Sequence, residues 1–123
     1  MAAPNPHYSA AISRLEQEDV PGAMSALNQA LQLNPSLAEA YTLRGILLMS
    51  KKQFQPASDD FAQVTRLQPN SVEAHIHLAQ SQMAFKDFQG ALQSATTANH
   101  LDPQNQAAAL LVQMIPHLAQ PSP

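Results

Sequence analysis

Apolar side chains recur along this chain at the spacing of helical stripes, and no segment sustains the alternation that a strand needs. Tyr41, Gly45 and Leu48 share one stripe, and Ala57, Phe61 and Val64 share another. The pattern predicts helices over 6–18, 20–33, 37–50, 54–67, 72–84 and 88–101, with a seventh over 106–115. Asp19 and Asp87 stand where second helices would begin. Ser36 with Glu39, and Asn70 with Glu73, each match a capping box ahead of an apolar run. Pro21 and Pro56 fall in first turns, where a missing N–H had no intrahelical partner.

The pattern is also periodic on a longer scale. The stretch LNPSLAEAY at 33–41 returns as LQPNSVEAH at 67–75 and, fading, as LDPQNQAAA at 101–109, so Pro35, Pro69 and Pro103 are each 34 residues apart. Small residues coincide at Ala11/Gly45/Ala79, Ala23/Ala57/Ala91 and Ala30/Val64/Ala98. Bulky ones coincide at Val20/Phe54/Phe88 and Leu33/Leu67/Leu101. Small columns let helices approach and bulky columns fill the space that remains. The last segment starts as another frame would, but Pro116 is expected to stop it, leaving a terminal helix that covers the apolar end of a stack.

Composition narrows the function classes. Six Lys and Arg are scattered through 123 residues of net charge −3, so no basic patch is available for nucleic acid. The adjacent pair Lys51–Lys52 falls at a helix end, where it answers the helix dipole. Without cysteine there is no disulfide framework, thiolate metal site or cysteine nucleophile. The N-terminal MAAPNPHYSA lacks the basic start and apolar core of a signal peptide, and ILLM at 46–49 is too short to span a bilayer. A cytoplasmic protein without membrane insertion is the resulting expectation.

A 34-residue helix-turn-helix period with these small and proline columns resembles the tetratricopeptide repeat family. The resemblance covers 4–103 as three repeats (about 4–35, 38–69 and 72–103), followed by a solvating helix at about 104–119 and a disordered tail at 120–123. It implies a single all-α domain, a right-handed superhelical solenoid of antiparallel helix pairs with seven helices. The family often has an aromatic where this chain has His7, Tyr41 and His75, and again where it has Arg14, Leu48 and Gln82. Thinner packing in repeats one and three, modest stability and fraying at the N-terminal repeat follow from those departures.

In the family the first helix of each repeat lines a concave face. On that face the expected groove comprises Tyr8, Ile12, Leu43, Ile46, Met49, Ile76, His77, Gln80 and Met83, with Leu15, Met49 and Met83 balanced between groove and inter-repeat core. An apolar or amphipathic peptide, presenting anchors on one helical face, suits this strip. Some family members clamp the acidic C-terminus of heat-shock chaperones with Lys, Arg and Asn. The matching columns here hold Tyr8, Ile12, Leu43, Glu73 and His77, so that ligand is not expected.

Other chemistry finds little support. His75 and His77 diverge on a helix, so neither they nor His7, His100 and His117 nominate a metal site. His7 and His75 read as aromatic substitutes in the Tyr41 column, whereas His77 faces the groove. Asp59–Asp60 reads as solvated surface. Gly22, Gly45 and Gly90 form no phosphate loop, and no spacing nominates a nucleophile. No cofactor and no enzymatic activity are expected. The reading is a non-catalytic protein-protein interaction module; a self-assembling scaffold and a dedicated subunit chaperone of a secretion or assembly system are the alternatives.

Overall fold

Hairpin by hairpin, the chain stacks antiparallel helices. The computed structural model describes residues 5–120, and these contain α1 (Pro6–Glu16), α2 (Val20–Leu33), α3 (Ala38–Ser50), α4 (Phe54–Leu67), α5 (Val72–Ala84), α6 (Phe88–Leu101) and α7 (Gln106–Ala119). No strand occurs among the described residues. The expected tail lies mostly outside them. Each helix packs on its neighbours in sequence, with α7 also against α5, and the α2–α3 junction is sparser than the α4–α5 and α6–α7 junctions. No helix among the described residues is long and apolar enough to cross a membrane.

The turns inside the repeats share one construction. Glu18, Lys52 and Lys86, which occupy one repeat column, all take positive φ of 59°, 62° and 69°. Around them the Asp19, Gln53 and Asp87 N–H groups donate to the Arg14, Leu48 and Gln82 carbonyls at 2.8, 2.9 and 2.8 Å, completing a Schellman closure of the preceding helix. The same residue then starts the next helix. Asp19 and Asp87 cap it by accepting the Gly22 and Gly90 N–H at 2.9 and 3.1 Å. A Cβ at either glycine would run into the capping carboxylate. Repeat two solves the turn differently: Gln53 makes no side-chain cap bond, and Pro56, at the position matching Gly22 and Gly90, has no N–H to offer.

Between repeats two expected caps move by one residue. Asn34 Oδ1 accepts the Ser36 N–H at 3.1 Å, and this local Asx turn delays the helix, so Leu37 and not Ser36 precedes α3. At α5 the cap is Ser71, whose Oγ accepts the Ala74 N–H at 3.2 Å, and not Asn70. The His75 substitution behaves as the column implies. Tyr41 donates its hydroxyl to the Pro35 carbonyl at 2.9 Å, and His75 Nε2 meets the Pro69 carbonyl at the same distance.

The small and large columns are matched in size. Gly45 faces Phe61, whose ring atoms lie 2.7–3.1 Å from where a Cβ would stand. One repeat earlier the same pair of columns holds Ala11 and Leu27, and one repeat later Ala79 and Ala95, all fully buried. Alanine at position 95 leaves repeat three short of apolar volume. The terminal helix supplies it: Leu111 and Ile115 join Ile76, Ala79 and Ala95 in one cluster. α7 also runs past Pro116 to Ala119, where its sequence suggests a stop at 115. Proline's fixed φ is compatible with a helix, and the burial of Ile115 holds the turn that precedes it.

The expected surface pair Asp59–Asp60 is divided. Asp59 is exposed, but Asp60 is buried and receives both Arg44 Nε and Nη2 at 2.8 and 2.7 Å. Adjacent helical residues point about 100° apart, so one carboxylate reaches solvent while the other faces α3. Arg44 Nη1 also donates to Asn28 Oδ1 at 2.9 Å, tying α2, α3 and α4 together.

Candidate binding groove

The first helices of the repeats present two adjoining clefts. Tyr8 of α1, with Glu39, Thr42, Leu43 and Ile46 of α3, lines one of about 310 Å³, closed on one side by Gln68 after α4. Thr42 and Gln68 continue into a smaller cleft of about 80 Å³, lined further by Ser71, Glu73 and His77. Helix spacing builds this surface. Residues three and four apart stack on a helix face, which brings Glu39, Thr42, Leu43 and Ile46 into one row.

Of the expected groove residues, Tyr8, Leu43, Ile46 and His77 meet at these clefts. Tyr8 and Leu43 pack their inner sides on the first core cluster, while Ile46 is 44% exposed. Ile12 is exposed one turn beyond Tyr8, and Gln80 is exposed on α5; neither lines either of these two clefts. Three residues belong elsewhere. Met49 packs against the cluster of Leu48, Ala57 and Phe61, and Met83 against the α5–α6–α7 cluster, so both fill the core side of their column. Ile76 is a correction to the groove strip: it is buried among Leu111, Ile115 and Ala79, because α7 packs against α5 at the end of the stack.

Glu39, Thr42, Gln68 and Ser71 also line the clefts, and as polar residues they leave no trace in an apolar stripe. Thr42 shares the repeat column of Tyr8 and Ile76, and Glu39 that of Glu73, so the 34-residue period carried the signal. Burial, and secondarily the nearby Glu39 carboxylate, raise the Tyr8 hydroxyl above its ordinary range.

His77 stacks obliquely on Phe61, with ring centroids 5.0 Å apart. Burial lowers its pKa below 6.5, partly offset by Glu73. The folded chain therefore resists protonation more than the unfolded one. Stability from this residue is complete above pH 6.5 and is lost as pH falls through the lower folded-state value. Urea midpoints measured on either side of pH 6.5 should show His77→Gln with a shallower acid decline than the parent; an identical decline would assign the slope to other groups.

Among the described residues, no group of three or more His, Asp or Glu is placed to hold a metal ion. The family model described as Tetratricopeptide repeat matches residues 8–57 and 43–106. This chain belongs to the tetratricopeptide repeat family. A curated relative, DnaJ protein P58IPK homolog A of Oryza sativa subsp. japonica, is 28% identical over 102 residues, covering 80% of this chain and 21% of the relative. The chain thus spans about a fifth of that protein.

Solved tetratricopeptide repeat domains share the fold. The first such domain of Spaghetti (RPAP3), bound to the HSP90 peptide SRMEEVD, superposes with a TM-score of 0.81 at 17% identity, covering 93% of this chain and 91% of that one. The TPR2B domain of yeast Sti1, in a complex with an Hsp70 peptide, gives 0.78 at 22% identity, with 92% and 95% covered. At these identities the likeness establishes the fold.

Proposed function

We propose that this tetratricopeptide repeat domain captures an apolar or amphipathic segment of a partner protein in the concave groove, without catalysis. The observation that carries the reading is the convergence of Tyr8, Leu43 and Ile46 on one cleft that continues toward His77. Solved relatives of this fold hold peptides. The lining here differs from what an acidic tail requires: Glu39 and Glu73 border the clefts, and no Lys or Arg does. Covering a few hundred Å² of apolar surface at roughly 25 cal/mol per Å² yields several kcal/mol before association costs, a micromolar interaction.

Ile46→Glu is the sharpest test, because the side chain is exposed and its loss leaves the core intact. Affinity for an amphipathic helical peptide should fall about tenfold or more, with helicity unchanged by circular dichroism. Adding Leu43→Glu should deepen the loss, at some expense in stability because Leu43 also contacts the first core cluster. Unchanged affinity in Ile46→Glu would remove the groove reading. Self-assembly has its own observation: Leu110 and Leu118 of α7 are 57% and 49% exposed. Mass by sedimentation over a wide concentration range separates the two, since a client-binding module remains monomeric.

A further inference from the structure

Glu39 and Glu73 are one repeat apart in the same column, and each borders one of the two adjoining clefts. Both are exposed, and among the described residues neither forms an ion pair. Among the described residues, the Lys and Arg side chains are paired elsewhere or lie outside both clefts. Arg44 is held by Asp60 and Asn28, Arg14 pairs with Asp19 at 3.3 Å, and Arg66 bonds Gln63; Lys51, Lys52 and Lys86 stand at the turns that end α3 and α5. None lines either cleft. Among the described residues, the clefts therefore combine an apolar wall with carboxylates that form no side-chain ion pair.

Resting on the groove reading above, we infer that the captured segment is a basic amphipathic peptide, whose apolar anchors meet Tyr8, Leu43 and Ile46 while flanking Lys or Arg side chains meet Glu39 and Glu73. Charge complementarity decides this choice. An acidic flank would place like charges together at both clefts, whereas a basic flank supplies the missing partner at each. Tyr8 and Glu39 line the same cleft, and burial, followed by the Glu39 charge, raises the Tyr8 hydroxyl.

The test uses two synthetic helical peptides with the same leucine anchors, flanked by lysine in one and glutamate in the other, titrated against the full chain by fluorescence anisotropy. The lysine peptide should bind about five- to thirtyfold more tightly, a gap that shrinks at high salt. In Glu39→Gln/Glu73→Gln the gap should largely close. Glu18→Gln, which removes a carboxylate from an intra-repeat turn, should leave it open. Equal binding of the two peptides, preference for the glutamate peptide, or a gap insensitive to the double substitution would overturn the inference. Failure of both peptides to bind, or binding indifferent to Ile46→Glu, would instead overturn the groove reading and the inference with it.

Discussion

Arg44→Met is expected to lower the unfolding free energy by about 3 kcal/mol, read as a fall in the urea midpoint at unchanged slope. The magnitude follows from which partner is left behind. Asp60 has 7% of its side chain exposed and Arg44 has 24%, so losing the arginine strands the more deeply buried charge. Asp60→Asn should cost less, about 1–2 kcal/mol, because the remaining guanidinium keeps Asn28 and can reach water. The arginine also lies over Tyr41, 5.7 Å from the ring centroid, so Arg44→Met loosens the α3 stripe as well. Replacing both, as Arg44→Met with Asp60→Leu, should recover most of the loss, since an apolar pair of similar volume removes the stranded charge. A single Arg44→Met variant as stable as the parent would mean that the carboxylate finds solvent by local rearrangement.

Phe61→Ala should be the most damaging single change, costing about 3–5 kcal/mol by chemical denaturation. Phe61 is the largest of the almost fully buried side chains and packs with Leu48 and Ala57. Its ring also faces His77, so truncation should move that imidazole back toward its ordinary pKa of 6.5, visible by NMR titration. The paired column gives a finer test. Gly45→Ala would gain about 1 kcal/mol in helix propensity, yet the new methyl meets the Phe61 ring, and overpacking of this kind costs about 1–3 kcal/mol. The net effect should be destabilising. Gly45→Ala with Phe61→Leu reproduces the Ala11–Leu27 pairing of repeat one and should be more stable than the two single effects sum to. Strict additivity would mean that the two positions do not share their space as the geometry requires.

Much of this architecture is legible in the sequence. The 34-residue interval placed every helix start from α1 to α7 within one residue, because a repeated pattern tests each boundary more than once. His75 was recognisable as a stand-in for Tyr41, and the shared hydrogen bond to a proline carbonyl gives the reason. Pairwise chemistry was harder to see. Arg44 and Asp60 lie on different helices, sixteen residues apart, and nothing local distinguishes Asp60 from exposed Asp59. Repetition itself misled at Ile76: its column lines a cleft in repeat two through Thr42, but α7 covers it in repeat three. A periodic sequence describes an interior repeat well and its terminal copies less well. The lining of the two clefts was legible to the same degree, its apolar side chains through helical stripes and its carboxylates through column membership.

The sparse α2–α3 junction lies beside the larger cleft, whose walls come from α1 on one side and α3 on the other. A peptide seated between Tyr8 and Ile46 would bridge the first helix pair to the rest of the stack. Its binding would then be linked to the opening of that pair, with each ligated molecule held closed by the free energy of association. Amide exchange in α1 and α2 would report occupancy as directly as any signal from the ligand, and a weak client would become a fastener for the end of the solenoid.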